Sequence, residues 1–335
     1  MLLFAIATIV FTLIARLTIA PQHIPQQSKT IKGVWLTHIG NALLTYTSSI
    51  DNAFYQLSRL NYNRVYVDVY NNGTAYSSKY APRNYVVALP FTNPLKTAIK
   101  EGKRQGLKVY AWYEHGMMTF GNTQLAQQHP DWILATDKGE KLIDNHWWLD
   151  PANLEVQQYF INLFTEVALS YRDLYGIQLD DHWGIPIQFG DRSNDMTELT
   201  RKVTEAIRNA NPNLIISLSP NPLGFSRQKY AQDWLSWIEA GFIDELVMQL
   251  YRPTSQEVAL AIDNSILSTV KKYVDVGIGI YAGELDNQKP LAEIKKQIEV
   301  VKKYGYGYVI FPWETSLGFF RWNKQKLKEN YLTAV

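Results

Sequence analysis

The stretch Gly176-Ile177-Gln178-Leu179-Asp180-Asp181-His182-Trp183 places two adjacent carboxyl groups, an imidazole and an indole where an alternating strand pattern stops. Neighbouring acids repel each other and add nothing to a core. Beside an aromatic they point to a site, against the plainer role of an Asp that caps a loop. Further acids close other strand-like stretches: Asp68, Glu114 and, just beyond the last of them, Glu314. Hydrolysis of a glycosidic bond needs two carboxyl groups across the scissile bond, one donating a proton and the other acting as nucleophile or base. Crowding such acids into an aromatic-walled cup raises the pKa of one and leaves another ionised. By strand parity, Asp180 is the expected nucleophile or base and Glu114 the expected acid. Asp181 is placed to exchange roles with Asp180. Asp68 lies deeper and is expected to orient a neighbour, while Glu314 is expected either to face substrate, to pair with Arg321 or to cap a turn.

Other chemistries find less support. His38, His115 and His182 could invite a metal, but no H-x-H or H-E-x-x-H pattern occurs, so no metal or other cofactor is expected. His182 is better suited to bonding a sugar hydroxyl or holding a carboxylate. Gly277-Ile278-Gly279 lies within a strand pattern rather than before a helix, which argues against a nucleotide site. The chain has no cysteine, which excludes thiol catalysis, disulfides and thiolate metal sites.

These residues need a scaffold that gathers strand ends. Strand-like stretches at 33–37, 64–70, 107–114, 176–180, 214–219, 245–251, 276–281 and 308–313 alternate with helical patterns, ending in a helix expected over 323–331. Strict alternation of eight such pairs is the pattern of a (β/α)8 TIM barrel, an α/β fold that forms one domain even at this length of 335 residues. Parity then sends Trp35 and Thr37, Tyr66, Asp68 and Tyr70, Tyr110, Trp112 and Glu114, Gln178, Asp180 and His182, Ser217 and Ser219, Gln249, Tyr251 and Tyr281 into one lumen. A barrel closed for stability alone would fill these positions with Val, Ile and Leu. The 10 Trp and 21 Tyr suit stacking on sugar rings, and Trp35, Tyr70, Trp112, Trp183, Tyr251 and Trp313 are the expected walls of a glycan cleft.

The ends of the chain add location. Met1 to Ala20 is nearly all apolar, broken by Arg16 and a few threonines, and reads as a signal peptide or membrane anchor. Residues 21–30 are polar and Gln-rich, the composition of a linker, and the barrel is expected over 31–335. Export to the periplasm or the extracellular space follows. The net charge of +2, with Lys and Arg scattered, gives no stripe for nucleic acid. The expected partner is a polysaccharide or oligosaccharide substrate met by a monomer, with membrane contact only through the N-terminal segment.

Gly33-Val34-Trp35-Leu36-Thr37, Ser78-Lys79-Tyr80-Ala81-Pro82, Ala111-Trp112-Tyr113, Leu149-Asp150-Pro151, Gly176 to Asp181 and Val247-Met248-Gln249-Leu250-Tyr251 resemble, in order and spacing, the glycosyl-hydrolase-like family 10 proteins of bacterial envelopes. The resemblance runs from about Gly33 to Trp313. It implies a TIM-barrel glycosidase acting on envelope or extracellular polysaccharide, in some relatives peptidoglycan glycan strands, and carries the family's strand-four acid pair onto Asp180 and Asp181. Two departures stand out. Glu114-His115-Gly116 replaces an Asn-Pro found after the strand-three aromatic in many members, and His182 takes the place of the terminal Glu of chitinase-like barrels. The competing reading is a barrel that binds polysaccharide without cleaving it.

Overall fold

The computed structural model describes residues 19–26 and 28–321, so residues 1–18 of the apolar segment and the helix expected over 323–331 lie outside the described residues. In chain order the strands are β1 (Lys32–Leu36), β2 (Arg64–Asp68), β3 (Lys108–Tyr113), a short antiparallel pair β4 (Met118–Thr119) and β5 (Trp147–Trp148), β6 (Gly176–Asp180), β7 (Ile215–Ser219), β8 (Glu245–Gln249), β9 (Asp275–Tyr281) and β10 (Gly307–Phe311). All but β4 and β5 form a closed parallel barrel in the order β1-β10-β9-β8-β7-β6-β3-β2. Each strand lies beside its successor, and Lys32 opposite Tyr308 closes the ring. This is the (β/α)8 barrel that the alternating pattern predicts.

The helices follow from apolar spacing and caps. They are α1 (His38–Tyr46), α2 (Ile50–Arg59), α3 (Pro94–Arg104), α4 (Gln124–Gln128), α5 (Leu154–Ser170), α6 (Ser193–Ala210), α7 (Leu223–Tyr230), α8 (Trp234–Glu239), α9 (Ser255–Asp263), α10 (Leu267–Val270), α11 (Leu291–Lys303) and α12 (Trp313–Ser316). Asn153 caps α5, and Val156, Phe160, Leu163, Phe164 and Val167 give it one buried face. Thr254 and Glu257 form a capping box on α9. Asn264 and Ser265, both turn formers, end α9 before α10 begins.

Two layers of side chains fix the strands. Val34, Leu36, Val65, Val67, Val109, Ala111, Ile177, Leu179, Ile216 and Leu218 face the helices within the main core. Ile31, Trp35, Tyr66, Tyr110, Trp112, Val247 and Val309 fill the lumen. Below them Glu245 accepts from Tyr66 Oη at 2.7 Å, Tyr110 Oη at 2.9 Å and Ser217 Oγ at 3.0 Å, and pairs with Arg64 Nε at 2.9 Å. The floor is therefore polar but bonded, as a buried charge requires.

The segment expected as a free linker is docked. Ala20 N donates to Asp51 at 2.9 Å, Arg104 and Gln105 donate to the carbonyls of Ala20 and Pro21, and His23 meets Gln105 and Ser58. It lies against α2 and α3, and Ile31 then plugs the lower end of the lumen against Gly277 and Gly307.

Candidate active site

The acids of three adjacent strands meet at the carboxyl ends of the barrel. Asp68 ends β2 opposite Trp112 of β3, and Tyr113 pairs with Leu179 of β6, so Glu114 and Asp180 stand side by side one step further on. Adjacent strands run about 4.8 Å apart, close enough for two such carboxyl groups to share one ligand.

Asp180 is 4 % exposed. Its Oδ1 accepts from Gln249 Nε2 at 3.0 Å, and its Oδ2 lies 3.6 Å from His182 Nδ1. Burial, and then the charge of Asp181, push its pKa up to about 8, against the pull of His182. Asp181 accepts from Asn221 Nδ2 at 2.8 Å and lies 3.4 Å from His182 Nδ1. For His182 burial opposes ionisation, but the carboxylates of Asp181 and Asp180 raise its pKa to about 10, so it is an imidazolium. Its Nδ1 also lies 3.1 Å from the Glu114 carbonyl.

Glu114 has the opposite character. Burial alone would raise its pKa, yet His38 at 3.8 Å, the Asn71 amide at 2.7 Å and the Asp68 carboxyl hold it down at about 2. Asp68, 1 % exposed, is pushed well above the carboxylate range by burial and by the charge of Glu114. Its Oδ1 accepts from Tyr70 N at 3.0 Å, whereas its Oδ2 is buried without a donor. A proton on Oδ2 resolves this, since it makes Asp68 a donor towards the Glu114 carboxylate. The directions of these shifts run against the roles assigned by parity, since they favour the ionised form of Glu114 and the protonated form of Asp180. His38 with Asp68 and Glu114, and His182 with Asp180 and Asp181, each gather their ligand atoms within 4.8 Å, a spacing that a divalent cation could bridge.

Opposite the acids, Tyr251, Tyr281 and Phe311 line the arc from β8 to β10. Phe311 stacks on Tyr251 at 5.7 Å and 14° and on Tyr281 at 6.0 Å and 22°. All three rings are half-buried, which leaves apolar faces for a ligand.

Several expected wall residues lie elsewhere. Trp35 and Trp112, 1 % and 3 % exposed, form the floor beneath the acids, with Trp35 Nε1 donating to Gln178 at 2.7 Å. Tyr70 turns outward to bond Tyr159 of α5, because the Asp68 side chain accepts from its amide and bends the chain there. Trp183 N donates to the Asp180 carbonyl in a turn that swings the indole against Phe160 and Phe164, where its Nε1 donates to Thr200 of α6. Trp313 packs in the outer core against Phe319. Glu314 accepts from Thr37 N and Oγ1, both at 3.0 Å, and so braces the start of α1; burial raises its pKa to about 7. It caps a turn rather than facing ligand.

Asn71, Asn221 and Phe311 join the site unannounced, and His38, weighed in the sequence only as a metal ligand, joins it beside Glu114. Of these only Phe311 carried a parity signal, since it follows Val309 on the lumen face of β10. The long excursion after β3 adds Phe120, His146 and Trp148, with the last two rings each 6.4 Å from His182.

Gly116 joins the two acidic segments. It has φ +50°, and a Cβ there would lie 2.6 Å from the His182 carbonyl oxygen. Gly116→Ala is therefore expected to cost about 1–3 kcal/mol of stability. It should also lower kcat roughly tenfold or more by parting Glu114 from Asp180. Chemical denaturation and steady-state rates would check both effects.

Comparison with known proteins agrees with the barrel fold. A family model described as "Glycosyl hydrolase-like 10" matches residues 30–197 and 191–302. Glycosyl hydrolase DigH of Escherichia coli K12 is 24 % identical over 367 residues, covering 84 % of this chain and 82 % of DigH. Among solved structures, TtGalA, an α-galactosidase from Thermus thermophilus, superposes with TM-score 0.57 at 16 % identity over 97 % of this chain, which spans 65 % of TtGalA. A putative α-L-fucosidase from Bacteroides thetaiotaomicron gives TM-score 0.59 at 13 % identity, covering 94 % of this chain and 96 % of that one. At such identities the structures attest the shared barrel.

Proposed function

The chain belongs to the glycosyl hydrolase-like 10 family, and from that premise we propose that it hydrolyses O-glycosidic bonds of an envelope or extracellular polysaccharide, peptidoglycan glycan strands among the candidates. The observation that carries this reading is the meeting of two carboxyl groups from adjacent strand ends in unlike surroundings: Asp180 buried beside Asp181, which pushes its pKa up, and Glu114 beside Asn71 and His38, which hold its pKa down. A glycan seated against Tyr251, Tyr281 and Phe311 presents its bridging oxygen to the Asp180 proton. Glu114, ionised, faces the anomeric carbon as nucleophile or as base for water. The His182 imidazolium offsets the negative charge of Asp181, 3.4 Å away, and Gln249 orients Asp180 through the bond to Oδ1. Asp68 keeps Glu114 ionised by donating to it.

The test is direct. Purified protein is incubated with peptidoglycan glycan strands, chitin and exopolysaccharide fractions, and new reducing ends are measured. Release from one fraction, absent with Glu114→Gln, is the expected result. Tight binding of a fraction with no reducing ends released would favour the non-catalytic, polysaccharide-binding reading instead.

A further inference from the structure

The loop between β2 and α3 begins in the candidate site and ends in an exposed apolar rim. Asn71 at its start donates to Glu114, whereas Tyr85, Val86 and Phe91 near its end are 66 %, 64 % and 106 % exposed. Phe91 has φ +68°, an unfavourable backbone for an aromatic residue that holds its ring out in solvent. Tyr46 of α1, 45 % exposed, donates to the Val86 carbonyl at 2.6 Å and extends the rim. A solvated apolar surface of this kind needs a partner.

The chain itself indicates which. The docked N-terminal segment runs along α2 and α3 from the foot of the barrel, where Gly106 packs on Ile24, to the mouth side, where Ala20 bonds Asp51 in the first turn of α2. Ile19, 75 % exposed, therefore emerges at the rim, and it lines one cavity of about 470 Å³ together with Phe91, Leu44 and Pro94. The residues that precede it are the apolar stretch Met1 to Thr18, in which Arg16 is the one charged side chain. Lys96 and Lys100, one turn apart on α3, are exposed, and Lys100 lines the same cavity, as do Asp51 and Glu101. An apolar segment leaving the fold beside exposed aromatics matches the requirements of a lipid surface.

We propose that the 85–91 loop lies on a lipid bilayer into which the N-terminal apolar segment inserts, so that the barrel is held with the β2 side of its mouth against the membrane. The anchor and the loop act as two contacts that fix the orientation, where one alone would leave the barrel free to tumble.

The natural chain has no cysteine, so single labels can be placed cleanly. Full-length Phe91→Cys and, separately, Tyr273→Cys, 59 % exposed at the foot of β9, would carry an environment-sensitive fluorophore. Each is reconstituted with phosphatidylethanolamine/phosphatidylglycerol vesicles containing a nitroxide lipid. The label at 91 should shift to the blue and be quenched at least about twofold more than the label at 273. Equal quenching at the two positions would overturn the proposal. So would full-length protein that stays in the aqueous phase, or a label at 91 that responds to soluble polysaccharide and not to vesicles.

Discussion

Glu114→Gln and Asp180→Asn are each expected to lower kcat by about a thousandfold, the middle of the range that a single acid or base contributes. Asp180→Asn should not lower the melting temperature, because the buried Asp180 is protonated below about pH 8 and a neutral amide of the same shape keeps the acceptor for Gln249. Glu114→Gln should lower it, since the contacts to His38 and Asn71 that hold Glu114 ionised then favour no charge. A thermal scan next to the rate measurement separates lost chemistry from lost fold. The pH profile then decides the roles. Asp180 is raised and acts in its protonated form, so its contribution is full below pH 8 and lost as pH rises through about 8. Glu114 is lowered and acts ionised, so activity is present above about 2 and lost only below it. The expected kcat/KM profile is flat through the acid range and falls on the alkaline side. A rate that instead rose with pH through 8 would return the base role to Asp180. His182→Gln removes a cation that stabilises ionised Asp180, and should move the alkaline limb to higher pH.

Much of this was legible in the sequence because a parallel barrel ties position to parity. Val34, Val65, Val67, Ile177 and Leu179 alternate with Trp35, Tyr66, Asp68, Gln178 and Asp180, and each set occupies the face that its period predicts. Parity failed where regular backbone ended. Tyr70 and Trp183 sit after turns made by Asp68 and Asp180 themselves, so the acids that mark the site also divert the aromatics beyond them. The protonation states were hidden for a different reason. For Glu114 they depend on His38, the first residue of α1, and on Asn71 of the loop after β2, which reach its carboxylate only through tertiary contact. Nothing in the local sequence pairs either of them with Glu114.

Glu245→Leu is expected to destabilise the barrel by about 3–5 kcal/mol, a large share of the 5–15 kcal/mol typical of a folded domain. Glu245 gathers four donors in the lumen floor: two phenols, a serine hydroxyl and the Arg64 guanidinium. Arg64 has a side chain only 3 % exposed, and its other acidic neighbour, Asp275, is 67 % exposed and 3.6 Å away, too solvated to replace a buried carboxylate. Arg64 Nη1 is already buried without an acceptor, so losing Glu245 leaves the cation with only the neutral Tyr110 Oη, 3.3 Å from Nε, inside the barrel. The cost therefore comes from the stranded charge and unpaired hydroxyls more than from the ion pair's own attraction. Removing Arg64 as well should recover part of the loss, because an apolar pair of similar volume carries no desolvation penalty. Urea denaturation of Glu245→Leu, Arg64→Met and the double variant measures this as a coupling energy. If the double variant loses the full sum of the two single losses, the carboxylate serves the tyrosines alone and Arg64 is solvated from below, through the end of the barrel where Asp275 meets water.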